Sequence, residues 1–307
     1  MKAVILGKKG GKHVVLLQEA LARRGVEAPC YPITRLEARP GWSGAAPELA
    51  SIGRDGEVHA LDEADVVFVR AVPGGSLEQV IFRVNALHCL ERAGKRIVNP
   101  PLAIEHCACK YFALTALERA GLPVPRTIVT ERLDQAMAAF EELAGDVVVK
   151  PLFGSEGRGL FRVSDKDLAY RTFKALEQGA YVYYLQQFVP HGCADYRVFV
   201  VGGEIAGVMR RKAGGWKTNV SLGAVPEACD LSGAALDAVR DMALRAAGAF
   251  RADYLGVDIL PHEDGRFFVT EVNAIPAWTG LRQATGVDAA ALLADHVLSG
   301  KPPYGAD

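Results

Sequence analysis

The opening stretch MKAVILGKKGGKH lacks the apolar length of a secretory leader or a membrane span, because its apolar run is only about five residues. A cytoplasmic protein without membrane attachment is therefore expected. Long basic tracts are missing too, and the formal net charge is only -1, so no nucleic-acid partner is expected. Cysteine is scarce, with six in 307 residues, and without an export signal these read as reduced thiols. Cys107 and Cys109 have no second pair nearby, so neither a zinc site nor a redox pair is expected. Internal repeats and low-complexity segments are absent. So is a P-loop: Gly7-Lys8-Lys9-Gly10-Gly11-Lys12 follows a strand, but His13 stands where that motif needs Ser or Thr. The stretch reads as a strand-to-helix turn. No nucleophilic Ser or Cys triad is evident, and His191, before a glycine, reads as a surface histidine rather than a base.

What is present describes a folded protein of two or three domains. Half of the residues are apolar and 23% are charged. Residues 1–98 read as a small α/β domain, with strands at Ala3–Leu6, Cys30–Ile33 and Val66–Arg70, a loop at Pro40–Ala46 and a hairpin around Asp55-Gly56. Ser76 and Gln79 form a capping box for the next helix. Arg70 and the amides of the 71–76 loop suit an anion, or else belong to an ordinary capped helix with a surface arginine. Asn99-Pro100-Pro101 breaks the chain. Residues 99–187 then read as helix Leu102–Ala120, strand Thr127–Thr130, helix Leu133–Leu143, strand Val147–Lys150, a glycine-rich loop, strand Leu160–Val163, helix Asp167–Glu177 and strand Tyr181–Val189. Residues 188–307 hold the hairpin Asp195–Arg210 turning at Gly202-Gly203, helix Gly233–Phe250, a second hairpin and helix Ala289–Leu298.

That second hairpin, Asp253 to Pro276, concentrates polar residues in apolar strands. Asp264-Gly265 is its turn signal. Glu271 and Asn273 lie on one face, roughly 7 Å apart along the backbone, and Asp258 reaches that face if the strands pair. Two carboxylates and an amide oxygen suit a hard cation such as magnesium. A half-exposed hairpin with its polar groups in water is the alternative from these residues alone. Upstream, Phe153-Gly154-Ser155-Glu156-Gly157-Arg158-Gly159 can lay backbone amides along phosphates. Lys150 stands before this loop and Lys110 lies on an upstream helix, so both can offer point charges. A nucleotide held between two sheets, with magnesium bridging its phosphates, satisfies all of these features together.

The order of the segments DYRVFVVGGEIAGVMRRK, KTNVSLGA, GVDIL and VTEVNAIPAWTGLRQATGVD resembles ATP-grasp carboxylate–amine ligases, most closely the RimK-type glutamate ligases. The resemblance covers residues 99–300. It implies an α/β fold of two α+β lobes (99–187 and 188–307) behind a small α/β domain (1–98). It implies ATP and Mg2+, with Mn2+ as a substitute, and a small-molecule acid plus an amino acid as substrates; a homo-oligomer is compatible with it. Lys110, Lys150, Gly154, Ser155, Gly157 and Gly159 would meet ATP phosphates. Gln187, Phe188 and Val189 would hold adenine through backbone groups, and Asp195 would sit near the ribose, with Lys217 and Thr218 also on the nucleotide. Asp258, Glu271 and Asn273 would bind the metal. Arg197, Arg210 and Asn219 would face the transferred phosphoryl group and the acyl phosphate. Relatives commonly carry Glu where this chain has Gln187, which removes that side chain's expected contact. Trp278 is expected to pack the lobe. Arg70–Gln79 and Pro151–Gly159 look similar to ligases that add glutamate to tetrahydromethanopterin-type carriers. Glutamylation of a protein C-terminus is the rival within the class. A nucleotide-binding protein without ligase activity, and a phosphotransfer enzyme, are rivals outside it.

Overall fold

A computed structural model describes residues 1–41, 48–154 and 157–305. Ser155 and Glu156, and most of the Pro40–Ala46 loop, lie outside the described residues. The chain opens with β1 (Ala3–Leu6), α1 (Lys12–Ala22) and a short β2 (Cys30–Tyr31). The strand expected to reach Ile33 stops early, because Ile33–Arg35 winds into a 3-10 turn. A small antiparallel sheet follows, made of β3 (Leu36–Ala38), β4 (Leu49–Ile52) and β5 (Val58–Ala60). Then come β6 (Val66–Val69), α2 (Leu77–Arg92) and β7 (Arg96–Val98). The parallel order β2-β1-β6-β7 puts the fully apolar, buried strands β1 and β6 at its centre, as a helix-covered parallel sheet requires. The Ser76–Gln79 capping box forms in both directions, at 3.2 and 3.1 Å.

The single helix expected over 102–120 is two: α3 (Pro101–Ala108) and α4 (Lys110–Arg119). Cys109 between them is extended, at φ -88° and ψ 104°. The break turns the Lys110 amide out to the carbonyl of Leu152 at 3.2 Å, so α4 begins against the run leading into the glycine-rich loop. Next are β8 (Thr127–Thr130), α5 (Leu133–Glu142), β9 (Val147–Lys150), β10 (Phe161–Val163), α6 (Lys166–Gln178) and β11 (Tyr183–Gln187). Their antiparallel sheet, β10-β9-β11-β8, carries α5 and α6 on one face around Phe140, Phe173, Tyr183 and Leu185.

The last sheet is the largest. Its strands are β12 (Ala194–Val201), β13 (Glu204–Lys212) and β14 (Val225–Ala228), then, after α7 (Gly233–Phe250), β15 (Tyr254–Pro261) and β16 (Phe267–Asn273). The antiparallel order is β14-β13-β12-β15-β16. The chain ends with α8 (Thr279–Thr285) and α9 (Ala289–Leu298). Strand alternation gives this sheet one apolar face: Tyr196, Val198, Val200, Val208, Leu255, Val257, Ile259 and Val272 meet Val239, Ala243, Ala246 and Phe250 of α7. On the other face, Phe199, Val201, Met209 and Tyr254 pack with α8, α9 and one side of the β1–β6 sheet. Polar contacts reinforce that junction. Asn99, fully buried, donates to the carbonyls of Tyr254 and Ala274 at 2.7 and 2.6 Å and accepts from the amides of Asp253 and Tyr254. Arg70 is buried there as well, not at the surface. It donates to the Tyr254 hydroxyl at 2.6 Å and the Pro276 carbonyl at 3.0 Å, and lies 4.0 Å over Trp278. Among the described residues no helix is long and apolar enough to cross a membrane.

Candidate functional site

Beyond Phe199 and Val201, the second face of the large sheet changes character. Asp195 and Arg197 continue that face toward the start of β12, and the ladder sets Arg211 opposite Asp195 and Asp258 opposite Arg197. Glu271 lies opposite Asp258, and Asn273 opposite Gly256. A bulge between Asp258 and Ile259 is what permits this. Plain alternation would put Val269 and Glu271 on one face. The extra residue, Thr270, sends Val269 into the core beside Ile259 while Glu271 stays on the polar face.

The face is a charge network. Arg197 grips Asp258 with two bonds, of 2.6 and 2.7 Å. Arg211 reaches the same carboxylate at 2.9 Å and holds Asp195 through Nε at 2.6 Å and through a second nitrogen. The Thr218 hydroxyl completes the Asp195 shell at 2.6 Å. Burial opposes ionisation of Asp258, but the two guanidiniums outweigh it and hold the carboxyl down at about 2. Asp258 is thus a carboxylate at every working pH. Glu271 and Asn273 have no side-chain partner among the described residues. No group of three or more His, Cys, Asp or Glu is arranged to hold a metal among them either. The available donor set is two carboxylates and an amide. That suits magnesium, which keeps few protein ligands and completes its shell with phosphate oxygens and water. One lone pair on Asp258 Oδ1 stays uncommitted after the arginines are counted, so the three residues fit such an ion.

The second sheet forms the opposite wall. Lys150, at the end of β9, donates to Gln186 Oε1 at 2.7 Å; Gln186, itself buried, is pinned by Thr127 at 3.0 Å. Burial pulls Lys150 down to about 8; Glu271 and Asp258 raise it and Lys110 lowers it further. Lys110 donates to the Gly154 carbonyl at 2.8 Å and so clamps the glycine-rich loop. Gly157 in that loop has φ +73°, and a Cβ there would stand 2.3 Å from Asn219 Oδ1. Only glycine lets the loop close over Asn219.

Between the walls lies a cleft lined by Val148, Lys150, Leu160, Gln186–Val189, His191, Asp195, Arg211, Trp216, Thr218, Asn219, Asp258, Leu260, Thr270 and Glu271. Its apolar end is shaped by Phe188, which takes the Arg162 guanidinium 3.4 Å over its ring and meets Trp216 edge-on at 6.5 Å. Several expectations shift here. His191 is buried and bonded to Ala194 O at 3.0 Å, not at the surface. The Gln187 and Phe188 amides are spent on the carbonyls of Arg126 and Asp146, at 2.8 and 3.0 Å. Of the three segment amides, Val189's alone has no partner among the described residues. Lys110, Arg197, Lys217 and Asn273 are not among the residues that line the cleft, and Lys217 lies 5.2 Å from the Trp216 ring. Arg210 projects to the opposite face of the sheet, where it pairs with Asp230 at 2.8 Å. Its neighbour Arg211 takes the position facing Asp195 and Asp258, a role the sequence reading gave to no residue.

The residues that build this two-sheet cleft fall largely within 108–297, the stretch of the chain that a family model described as the RimK-like ATP-grasp domain matches. The chain belongs to the RimK-like ATP-grasp family. It is an ATP-dependent carboxylate–amine ligase. Among its relatives are tetrahydromethanopterin:alpha-L-glutamate ligases. That of Methanosarcina acetivorans is 31% identical, over 83% of this chain and 86% of the relative. That of Methanococcus maripaludis is 36% identical, over 77% and 80%. Among solved structures, the ATP-grasp ligase PsnB complexed with minimal precursor, Mg and ADP is 25% identical, with a TM-score of 0.71, over 97% of this chain and 98% of that one. The family implies ATP and magnesium.

Proposed function

We propose that this ligase joins L-glutamate to the terminal carboxylate of a tetrahydromethanopterin-type carrier. The observation that carries the reading is that the likeness to the tetrahydromethanopterin:alpha-L-glutamate ligases combines 31 and 36% identity with a span of most of both chains. In this reading the lobes 99–187 and 188–307 close on ATP. Lys110 and Lys150 neutralise its phosphates, while the backbone of Gly154, Gly157 and Gly159 follows them. Val148, Leu160, Phe188 and Trp216 sandwich the adenine, and the Val189 amide is the hydrogen-bond donor toward it. Asp258, Glu271 and Asn273 would hold Mg2+, or Mn2+ with the same donors, and such an ion would supply positive charge to the phosphates. Asp195, already held by Arg211 and Thr218, braces that arginine rather than meeting the nucleotide directly.

The substrate carboxylate attacks the γ-phosphorus, giving an acyl phosphate and ADP. The amine then attacks the acyl carbon, giving an amide and phosphate. In this reading Arg197, Arg211 and Asn219 stabilise charge on the transferred group and on the tetrahedral oxyanion. We assign Arg210 to the structural face. The test is mass spectrometry of tetrahydromethanopterin incubated with the enzyme, ATP, Mg2+ and L-glutamate. A glutamate-sized mass gain and stoichiometric ADP are expected. ADP formed equally well without any amine, across a panel of acids, would refute the ligation step. No mass gain on this carrier, with gain on a protein C-terminus instead, would move the acceptor to the rival class.

A further inference from the structure

A second and larger cleft, of about 870 Å³, lies wholly within residues 1–98. Its position follows from topology. In the order β2-β1-β6-β7, the chain leaves β1 to one side to form β2 and later returns to the other side as β6. The carboxyl ends of β1 and β6 therefore diverge, and such switch points are where open parallel sheets bind ligands. Gly7, Lys8 and Lys9 after β1, and Ala71 and Pro73 after β6, line the cleft. The small β3–β5 sheet supplies its far wall. The volume lies well within the range of small-molecule sites and is generous for one amino acid.

Its lining selects a type of ligand. Tyr31 and His59 stack at 4.0 Å and 16°, making an aromatic platform within the cleft. Lys8, Lys9 and Arg54 bring three cations to it, against Asp55 and Glu57. The cleft is also joined to the reacting region. Arg70, between the β6 strand and the lining residue Ala71, is bonded to the carbonyl of Pro276, three residues beyond Asn273. One hydrogen bond thus ties the start of the loop that lines the cleft to the segment that follows Asn273.

We propose that the switch-point cleft binds the head of the acyl acceptor, a planar heteroaromatic ring with an anionic tail, and that the tail runs past the Arg70 loop to the Arg197–Asn273 face. This rests on the ligase reading above and names where that reading's acceptor is selected. Stacking of a heteroaromatic ring on an aromatic side chain is worth enough that Tyr31→Ala should raise the KM for tetrahydromethanopterin roughly tenfold. The KM for ATP should stay within about twofold, and Tyr31→Phe, which keeps the ring, should restore the acceptor KM. The exposed double variant Lys8→Glu/Lys9→Glu, which disturbs no packing, should raise it as well. An unchanged acceptor KM in both Tyr31→Ala and the lysine pair would overturn the proposal. If the wild-type enzyme does not glutamylate tetrahydromethanopterin, the functional reading fails first, and the cleft is then judged by fluorescence titration with folate, a pterin carrying glutamate. Saturable binding that weakens roughly tenfold in Tyr31→Ala sustains it. Absence of saturable binding overturns it.

Discussion

The two faces of the large sheet are built from the same strands and obey the same alternation, yet they solve opposite problems. One face places Val198, Val208, Val257 and Ile259 against α7 and is held chiefly by apolar burial. The other carries Asp195, Arg197, Arg211 and Asp258, whose desolvation is offset only because each buried carboxylate has a guanidinium at hydrogen-bond distance, and beside them Glu271, half-buried and unpaired among the described residues. Stability on the first face is distributed over many contacts. On the second it hangs on a few charges, and the same charges make the cleft useful for phosphoryl chemistry. Adjacent arginines on β13 put the contrast side by side: Arg211 is 2% exposed and serves two carboxylates, while Arg210 sits half-buried on the other face with Asp230.

The strongest break in this comparison should come from those arginines. Arg211→Met leaves Asp195 and the Arg197-bound Asp258 short of a countercharge, so urea unfolding should show a loss of about 3–5 kcal/mol together with loss of activity. Arg210→Met removes a partly exposed pair and should lose at most about 1 kcal/mol while turnover persists. Equal losses in the two variants would erase the distinction between the faces.

Glu271→Gln and Asn273→Ala separate function from stability on the polar face. Neither residue has a side-chain partner to orphan, so the melting temperature should hold. Their oxygens are the uncommitted ones, so kcat should fall on the order of a hundredfold or more, measured by ADP release at saturating ATP. Near-normal activity in both would remove the hairpin from the site.

Much of this was legible in the sequence because it depends on local order. Turn residues, strand periodicity and the spacing of Lys150, the glycine loop, Asp258, Glu271 and Asn273 mark out the strands, the helices and most of the cleft. Register was not legible. A regular hairpin turning at Gly202-Gly203 pairs Val201 with Glu204, and continued unbroken it would bring Arg210 opposite Asp195. A bulge between Phe199 and Val200 slides the ladder by one residue and brings Arg211 there instead. The break at Cys109, which aims Lys110 at the glycine loop, is similarly set by a tertiary bond to Leu152 rather than by any helix-stopping residue. Burial of His191 and Arg70 likewise reflects neighbours far along the chain. Gln186 was not legible as the partner of Lys150, because the strand carries two adjacent glutamines and only sheet pairing decides which side chain meets the lysine.

The gentlest probe of the polar face is pH, because it changes one proton across the cleft and no packing. Lys150 is drawn down to about 8, first by burial and also by the nearby Lys110 charge, against the pull of Glu271 and Asp258. It is therefore charged below that pH and neutral above it. Only the ammonium attracts phosphates, so kcat/KM for ATP, which reports the free enzyme, should fall about tenfold per unit as pH rises beyond 8. Bound triphosphate favours the charged lysine, so the corresponding limb in kcat should lie at higher pH. Asp258, held near 2 by Arg197 and Arg211, should add no acid limb in the working range. Lys150→Arg, whose guanidinium does not titrate there, should abolish the alkaline limb of kcat/KM even if the absolute rate drops. If the limb persists unchanged in that variant, it belongs to another group, and the lysine is not the charge that meets the nucleotide.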